Sequence, residues 1–128
     1  MKTSTLTLLL ICLTAGCDRG PRMCIVAGNI SYQGKVVEEG EIIFADANQQ
    51  SPTAAGRIEL GKYSVNVLPG EKSVRITGNK KTGRMVQEGM AGGVPDRVDL
   101  IPAKYNTSTT LLRTIPPQER ISLDFELD

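Results

Sequence analysis

The chain contains no histidine and no tryptophan, and only five of its 128 residues are aromatic. Histidine is the commonest general base and the commonest metal ligand in proteins, so its absence argues against much of enzyme and metal chemistry. The remaining residues form no cysteine pair and no calcium loop. The sequence therefore predicts neither a catalytic site nor a metal or cofactor site. The five aromatic residues fall mostly at apparent core positions, which also argues against stacking on sugars.

The sequence also has no strong excess of charge of one sign. Lysine and arginine together number 15 and the acidic residues number 14. Removal of residues 1–16 would take away Lys2 and leave 14 basic residues against 14 acidic ones. Proteins that bind nucleic acids electrostatically need a basic surplus, so no nucleic-acid partner is expected.

The first residues have the pattern of an export signal. A basic residue, Lys2, is followed by a short apolar run and then by the small residues Ala15 and Gly16. That order is typical of a secretory signal peptide, and the run is too short to span a bilayer as a mature helix. The segment Thr14-Ala15-Gly16-Cys17 resembles the lipobox of bacterial lipoproteins, which implies lipid on the sulfur of Cys17 and cleavage just before it. The alternative is an ordinary signal peptide in which Cys17 is incidental.

These observations predict three segments: a signal peptide at 1–16, a lipid-anchored tether at 17–22 and one domain at 23–128. The expected location is extracytoplasmic, with the lipid holding the chain at the cell membrane or outer membrane. Cys12 would leave with the signal and Cys17 would carry lipid. Cys24 would then have no partner for an internal disulfide and is interpreted as a small apolar residue at the start of a strand.

Apolar and polar residues alternate with a period of two along most of the domain. The clearest case is residues 121–128, and glycine turns are expected at Gln33-Gly34, Gly61-Lys62 and Pro69-Gly70. Short half-buried strands separated by glycine turns predict an all-β fold, an antiparallel Greek-key-like β-sandwich of about seven strands. Residues 78–96 are expected to form a long loop, either functional or merely mobile.

Several segments resemble the carboxypeptidase regulatory-like domains, which are transthyretin-like (prealbumin-like) β-sandwiches. The segments are 26–37, with the sequence VAGNISYQGKVV, together with Gly61-Lys62-Tyr63-Ser64 and Leu68-Pro69-Gly70. The stretch from Leu100 to Asn106 and the final strand are similar to small secreted lipoproteins abundant in planctomycete bacteria. This resemblance implies an accessory sandwich without an activity of its own.

Lys104, Tyr105 and Asn106 are the candidates for a small contact surface, because Pro102 fixes the preceding chain and Tyr105 lies between two polar side chains. The alternative is that Tyr105 packs over the edge of the sandwich while Lys104 extends to solvent. Taken together, the sequence predicts a non-catalytic, membrane-anchored structural or interaction module of the cell envelope, with envelope proteins or glycans as partners. A surface binding module for carbohydrate or peptide is the second hypothesis.

Overall fold

The computed structural model of the protein describes residues 16, 20, 22–87 and 92–128. The predicted signal peptide and Cys17 therefore lie outside the described residues. The strands are β1 (Cys24–Tyr32), β2 (Lys35–Val36), β3 (Glu39–Asp46), β4 (Ala54–Glu59), β5 (Lys62–Val67), β6 (Gly70–Gln87), β7 (Gly93–Asp99), β8 (Leu112–Ile115), β9 (Arg120–Ser122) and β10 (Phe125–Leu127). Within the described ranges, the one helical element is a 3-10 turn at Ala103–Tyr105.

The strands form a curled and mostly antiparallel sheet in the order β10-β1-β5-β4-β3-β6-β7. In addition, β2 and β9 pair with β1, and β8 pairs with β6. The all-β prediction is confirmed, although β9 and β10 run parallel to β1. The described residues form ten strand segments rather than about seven. One reason is that the predicted final strand is interrupted at Leu123 and Asp124, where it splits into β9 and β10.

Two tight turns set the first half of the sheet. Gln33 and Gly34 have φ of 50° and 76°, and Leu60 and Gly61 have the same pair of values. Positive φ at both central residues is the geometry of a type I′ turn, whose twist matches that of the flanking strands. The second turn therefore lies one residue earlier than the predicted Gly61-Lys62. Leu60, whose side chain is exposed, adopts a conformation that residues other than glycine and asparagine rarely take.

The link from β5 to β6 explains why the sheet curls. Only Leu68 and Pro69 separate the two strands, yet β4 and β3 lie between them in the sheet. In a flat sheet β5 and β6 would be about 14 Å apart, because neighbouring strands are spaced by ~4.8 Å. The three Cα steps from Val67 to Gly70 reach at most about 11 Å. The short link can be made only if the sheet bends and brings its edges together.

The core lies inside this bend. Its buried apolar side chains alternate along the strands, as the period-two pattern predicts, and the predicted apolar residue Cys24 is among them with a free thiol. Tyr63 occupies the centre, with its ring 6.3 Å from that of Phe44 and 6.2 Å from that of Phe125. The core thus ties the middle of the sheet to the last strand of the chain.

A group of four residues, Gly28, Tyr63, Leu123 and Asp124, fastens the end of the chain to β1, and we call it the clamp. The hydroxyl of Tyr63 donates to the carbonyl oxygen of Leu123 over 2.5 Å. The Oδ1 atom of Asp124 accepts the backbone N–H of Asn29 over 2.8 Å, where a backbone carbonyl would otherwise continue the ladder. The chain thereby passes the break between β9 and β10 without losing its attachment to β1.

Gly28 makes this close passage possible. A Cβ atom at this position would lie 2.6 Å from the carbonyl carbon of Leu123 and 2.7 Å from Oδ1 of Asp124. Both distances are well inside van der Waals contact, and Leu123 presents rigid backbone at this point. The glycine is therefore required by the approach of the last strand and not by a turn.

The prediction of a long loop at 78–96 is wrong. Residues up to Gln87 continue β6, and β7 begins at Gly93, so most of the segment is a β-hairpin. The ladder pairs Asn79 with Asp99 and continues to the pair of Gln87 with Gly93, with an irregularity between Lys81 and Met85. Both faces of this hairpin are open to solvent, so polar residues and glycines occupy both. The sequence therefore lacks the alternation of apolar and polar residues that predicts a half-buried strand.

We expect Gly28→Ala to lower the free energy of unfolding by about 2 kcal/mol, because an extra methyl group forced into a packed site typically costs 1–3 kcal/mol. The matched control is Gly93→Ala, where the added Cβ would meet the Cβ of Met85 at 3.3 Å on an exposed hairpin. Urea unfolding followed by circular dichroism measures both variants. Equal losses for the two would show that the clamp does not need close approach at Gly28.

Burial in the core raises the pKa of the Tyr63 hydroxyl above its ordinary value of 10.0, and the nearby charge of Asp124 acts in the same direction. The unfolded chain then ionises Tyr63 at a lower pH than the folded chain does. This contribution to stability is complete below pH 10 and is lost as the pH rises further.

Tyr63→Phe should cost about 1 kcal/mol at neutral pH, because it removes one buried hydrogen bond. The difference in melting temperature between the natural chain and the variant should shrink above pH 10. Melting curves from pH 7 to 11.5 test this, and a constant difference across that range would contradict it.

Candidate functional site

The structure brings the three predicted contact residues together with Asp128. The buried Tyr105 hydroxyl donates to Oδ1 of Asp128 over 2.5 Å and accepts the Asp128 N–H over 3.1 Å. The Asn106 amide nitrogen donates to the carbonyl of Pro102 over 3.2 Å and to two further backbone carbonyls, while its oxygen accepts the N–H of Thr107. These contacts fasten the end of the chain to the sheet, and Lys104 is the one member of the three that is exposed.

The charges around Tyr105 support one another. The hydrogen bond from Tyr105 lowers the pKa of the Asp128 carboxyl below 3.8, and the charge of Lys104 adds to this. The Tyr105 hydroxyl and the charge of Asp128 raise the pKa of Lys104 above 10.5. The Lys104 ammonium also lies 4.8 Å from the centre of the Tyr105 ring. The arrangement is satisfied internally, and the contact surface at Lys104, Tyr105 and Asn106 stays a prediction.

A buried lysine marks the opposite end of the sheet. Lys72 is only 1% exposed, and its Nζ donates to the hydroxyl of Ser51 over 2.7 Å. Oδ1 of Asp46 lies 3.8 Å from the same nitrogen, and Oδ2 of Asp46 accepts the N–H of Gln50. The hydrogen bond from Gln50 lowers the pKa of Asp46, and the charge of Lys72 lowers it further.

This contact between Ser51 and Lys72 has the atoms of a serine–lysine pair, but its geometry fits a structural role. An ammonium that is paired with a carboxylate has no lone pair with which to take the proton of Ser51. The three side chains instead hold the segment between β3 and β4 against the start of β6. We interpret the cluster as a brace for that loop.

A broad concavity lies on the outer face of the sheet, across β4, β3, β6 and β7. We call this the groove; its volume is ≈ 910 Å³. Its lining combines acidic and basic side chains: Glu38, Glu39, Glu41, Glu59, Arg57, Lys81 and Arg97. None of the described residues that line it is aromatic. The groove is therefore a surface for charged and polar groups, and it offers no ring for stacking.

Strand pairing explains how these charges meet. Glu39 lies directly opposite Glu59 on β4. The carboxylate of Glu39 forms ion pairs with Lys81 at 3.2 Å and with Arg97 at 3.4 Å. Glu41 lies opposite Arg57. The two cations come from the β6–β7 hairpin, so that hairpin supplies one wall of the groove.

Beyond the groove the hairpin extends past the rest of the sheet. We call its outer part, residues 80–87 and 93–98, the arm. Registers place Glu39, the first residue of β3, opposite Asn79, so every later residue of β6 projects beyond β3. Met85, Val86, Val94 and Val98 on the arm are 66%, 41%, 37% and 49% exposed. Such a concentration of exposed apolar side chains on one projecting element is typical of an interaction surface.

The direction of the arm follows from the strand order. β1 runs from Cys24 toward Tyr32, and the antiparallel steps through β5, β4 and β3 give β6 the same direction as β1. Cys24 lies level with Val67, whereas the arm lies beyond Glu39 and Glu59 at the other end of the sheet. The chain therefore enters the domain at one end and displays the arm at the other.

No family model matches the sequence, and no curated protein is similar to it at a significant level. Among solved structures, the chain is similar to a 9R-lipoxygenase from Cyanothece, with 10% sequence identity and a TM-score of 0.42. The match covers 96% of this chain and 18% of the lipoxygenase chain. At that TM-score the likeness carries no argument about fold or activity.

The described residues include no helix with the length and hydrophobicity needed to span a bilayer. They also contain no group of three or more histidine, cysteine, aspartate or glutamate side chains with metal-binding geometry.

Sequence reasoning did not find the groove or the arm. The residues of the groove come from four strands, and nothing in their spacing along the chain brings Glu39 to Arg97. The arm carried one weak signal, the apolar residues Met85, Val86 and Val94 in an otherwise polar stretch. They fell within the segment predicted to be a loop, whereas the structure shows them exposed on a projecting hairpin.

Proposed function

We propose that this chain is a non-catalytic lipoprotein, held outside the cytosol by lipid on Cys17, that serves as a structural or interaction module of the cell envelope. The observation that carries this proposal is the position of the arm. The chain enters the domain at Cys24, and the arm projects from the opposite end of the sheet. A short attachment at one end and an exposed apolar element at the other is the arrangement that a display module needs.

The tether sets the scale of this arrangement. Residues 17–22 span roughly 20 Å when fully extended at ~3.3 Å per residue. The anchored end of the sheet would thus stay close to the membrane surface while the arm points outward. The lipid-modified cysteine would carry more than one acyl chain, since a single chain gives only marginal binding. The transthyretin-like Greek-key sandwich belongs to the same proposal, and the curled antiparallel sheet supports it.

The absence of a catalytic role is part of the proposal. Its support is the internal satisfaction of the polar clusters at Lys72 and Tyr105, since neither presents a free nucleophile beside an open cleft. A broad screen of hydrolase and transferase substrates with the purified protein tests it. Robust turnover that is lost in Ser51→Ala would overturn it.

Cys17→Ala should abolish incorporation of a fatty-acid analogue and release the protein from the membrane fraction. Metabolic labelling followed by click detection and membrane fractionation measures both effects. Cys24→Ala is the matched control, because Cys24 is buried in β1 and should leave labelling unchanged. Full labelling of the Cys17→Ala variant would contradict the anchor.

The second candidate function is a surface binding module for carbohydrate or peptide. The groove favours the peptide version, because its charges can pair with side chains and its lining has no aromatic ring on which a sugar would stack. The groove and the arm share Lys81 and Arg97, so a bound peptide would touch both.

If the groove binds peptides, Arg57→Ala should weaken binding about tenfold, as expected for loss of one charge-assisted hydrogen bond. Lys62→Ala is the control, because Lys62 is exposed on the neighbouring β5 and does not line the groove. A peptide library and a glycan array, screened in parallel with the purified protein, supply the ligands. Hits confined to the glycan array, or equal effects of the two variants, would count against a peptide groove.

A further inference from the structure

Strand β7 forms one end of the sheet, and no other strand of the described residues covers its outer edge. The backbone N–H of Leu100 donates to the carbonyl of Gly78 on β6 over 2.8 Å. In an antiparallel ladder, successive residues turn their backbone groups alternately toward each side. Val98 therefore faces β6, and Arg97 and Asp99 present their N–H and C=O groups to the open side. An open strand edge of this kind is a template for pairing with another strand.

The half of this edge nearer the tip is protected. Pro95 is two residues before Arg97 and therefore also faces the open side, but it has no N–H to donate. A proline on an edge strand commonly blocks further strand pairing. The irregularity between Lys81 and Met85 also distorts the hairpin at that level. The usable edge is thus confined to Arg97, Val98 and Asp99.

This short edge is complementary to itself. If a second copy lies antiparallel with Val98 opposite Val98, each Arg97 stands opposite an Asp99 of the other copy. In this register the outward backbone groups of residue 97 in one copy meet those of residue 99 in the other. Each of the two 97–99 pairs forms two backbone hydrogen bonds and one ion pair, which gives four hydrogen bonds and two ion pairs in total. Registers centred on Arg97 or on Asp99 would place like charges opposite each other, which is unfavourable.

The charges of the edge are free to take part. Asp99 makes no ion pair within the described residues. Arg97 contacts one oxygen of Glu39 through its Nη2 atom, at 3.4 Å, and the guanidinium has five donors in all. Glu39 would keep Lys81 at 3.2 Å if Arg97 turned toward a second copy.

We propose that two copies of this chain associate through antiparallel pairing of β7, centred on Val98. The contact is isologous, because the same segment serves both copies, and it closes as a dimer. The pairing completes an edge that is otherwise open and covers part of the exposed apolar surface of the arm.

The two-fold axis of such a pair is perpendicular to the sheet, so the strands of the two copies run in opposite directions. The ends at which the two chains enter their domains then point away from each other. With the lipid anchor of the proposed function, the dimer would join copies held on facing surfaces. This consequence rests on the proposed function, whereas the pairing itself does not.

A single cysteine on β7 tests the register. Residues that face each other without mutual hydrogen bonds have Cα atoms about 4.5 Å apart, which is within the range of a disulfide. In the full chain with Cys12 and Cys17 replaced by serine, Val98→Cys should form a covalent dimer under mild oxidation. Val94→Cys is the matched control, because it is an exposed valine of the same strand that would not meet its own copy in this register.

Charge exchange tests the complementarity. Asp99→Arg or Arg97→Glu alone should weaken dimerisation about tenfold, since each converts two attractive pairs into repulsive ones. The double variant restores opposite charges and should return to within about threefold of the natural chain. Sedimentation equilibrium at several concentrations gives the constants, and circular dichroism checks that each variant is folded.

Several outcomes would overturn the proposal: a monomer at all concentrations, equal cross-linking at positions 94 and 98, or a double variant no better than the single ones. A monomer that nevertheless captures an extended peptide on β7 would assign the edge to a different partner. Because the purified protein needs no membrane, a failed dimer would leave the lipid anchor untouched, and a failed anchor would leave the dimer untouched.

Discussion

The rest of the fold depends on the clamp between the first strand and the last. β1 has strand neighbours on both sides along most of its length, and the clamp is where its pairing changes from β9 to β10. Three contacts form at the same height along β1. Gly28 has no side chain to clash with Leu123, Tyr63 donates to the carbonyl of Leu123, and Asp124 accepts a backbone N–H in place of a carbonyl. The ring of Tyr63 also packs between Phe44 and Phe125, so the same residue joins the core to the closure of the sheet.

The curl of the sheet is the second constraint, and it separates two kinds of surface. Inside the bend, apolar side chains are buried together with Tyr63 and Tyr105. Outside it, rows of charged side chains from four strands form the groove. The hairpin of β6 and β7 projects beyond the curled part of the sheet. β3 reaches only to the level of Asn79, so the later residues of β6 have no neighbouring strand on the β3 side. Its exposed valines follow from that difference in strand length, whereas its open edge follows from the place of β7 at the end of the sheet.

These features form one functional argument. A polar end braced by Lys72 and Asp46 lies near the point where the chain enters the domain, and the arm lies at the far end. The groove and the edge of β7 are adjacent, and they share Arg97. Both the proposed peptide surface and the proposed dimer use that end of the molecule, so the two would compete for the same arginine.

The all-β class, the approximate positions of most strands and turns, and the apolar role of Cys24 could be predicted from the order of the amino acids. The reason is that a half-buried strand and a glycine turn are local features, readable from neighbouring residues such as the alternation from Ile121 to Leu127. The clamp, the groove and the arm arise only when segments that are distant along the chain pack together. Gly28 and Leu123 are 95 positions apart and meet through a parallel pairing that no local pattern encodes. The arm has solvent on both faces and therefore lacks the alternation by which buried strands are recognised.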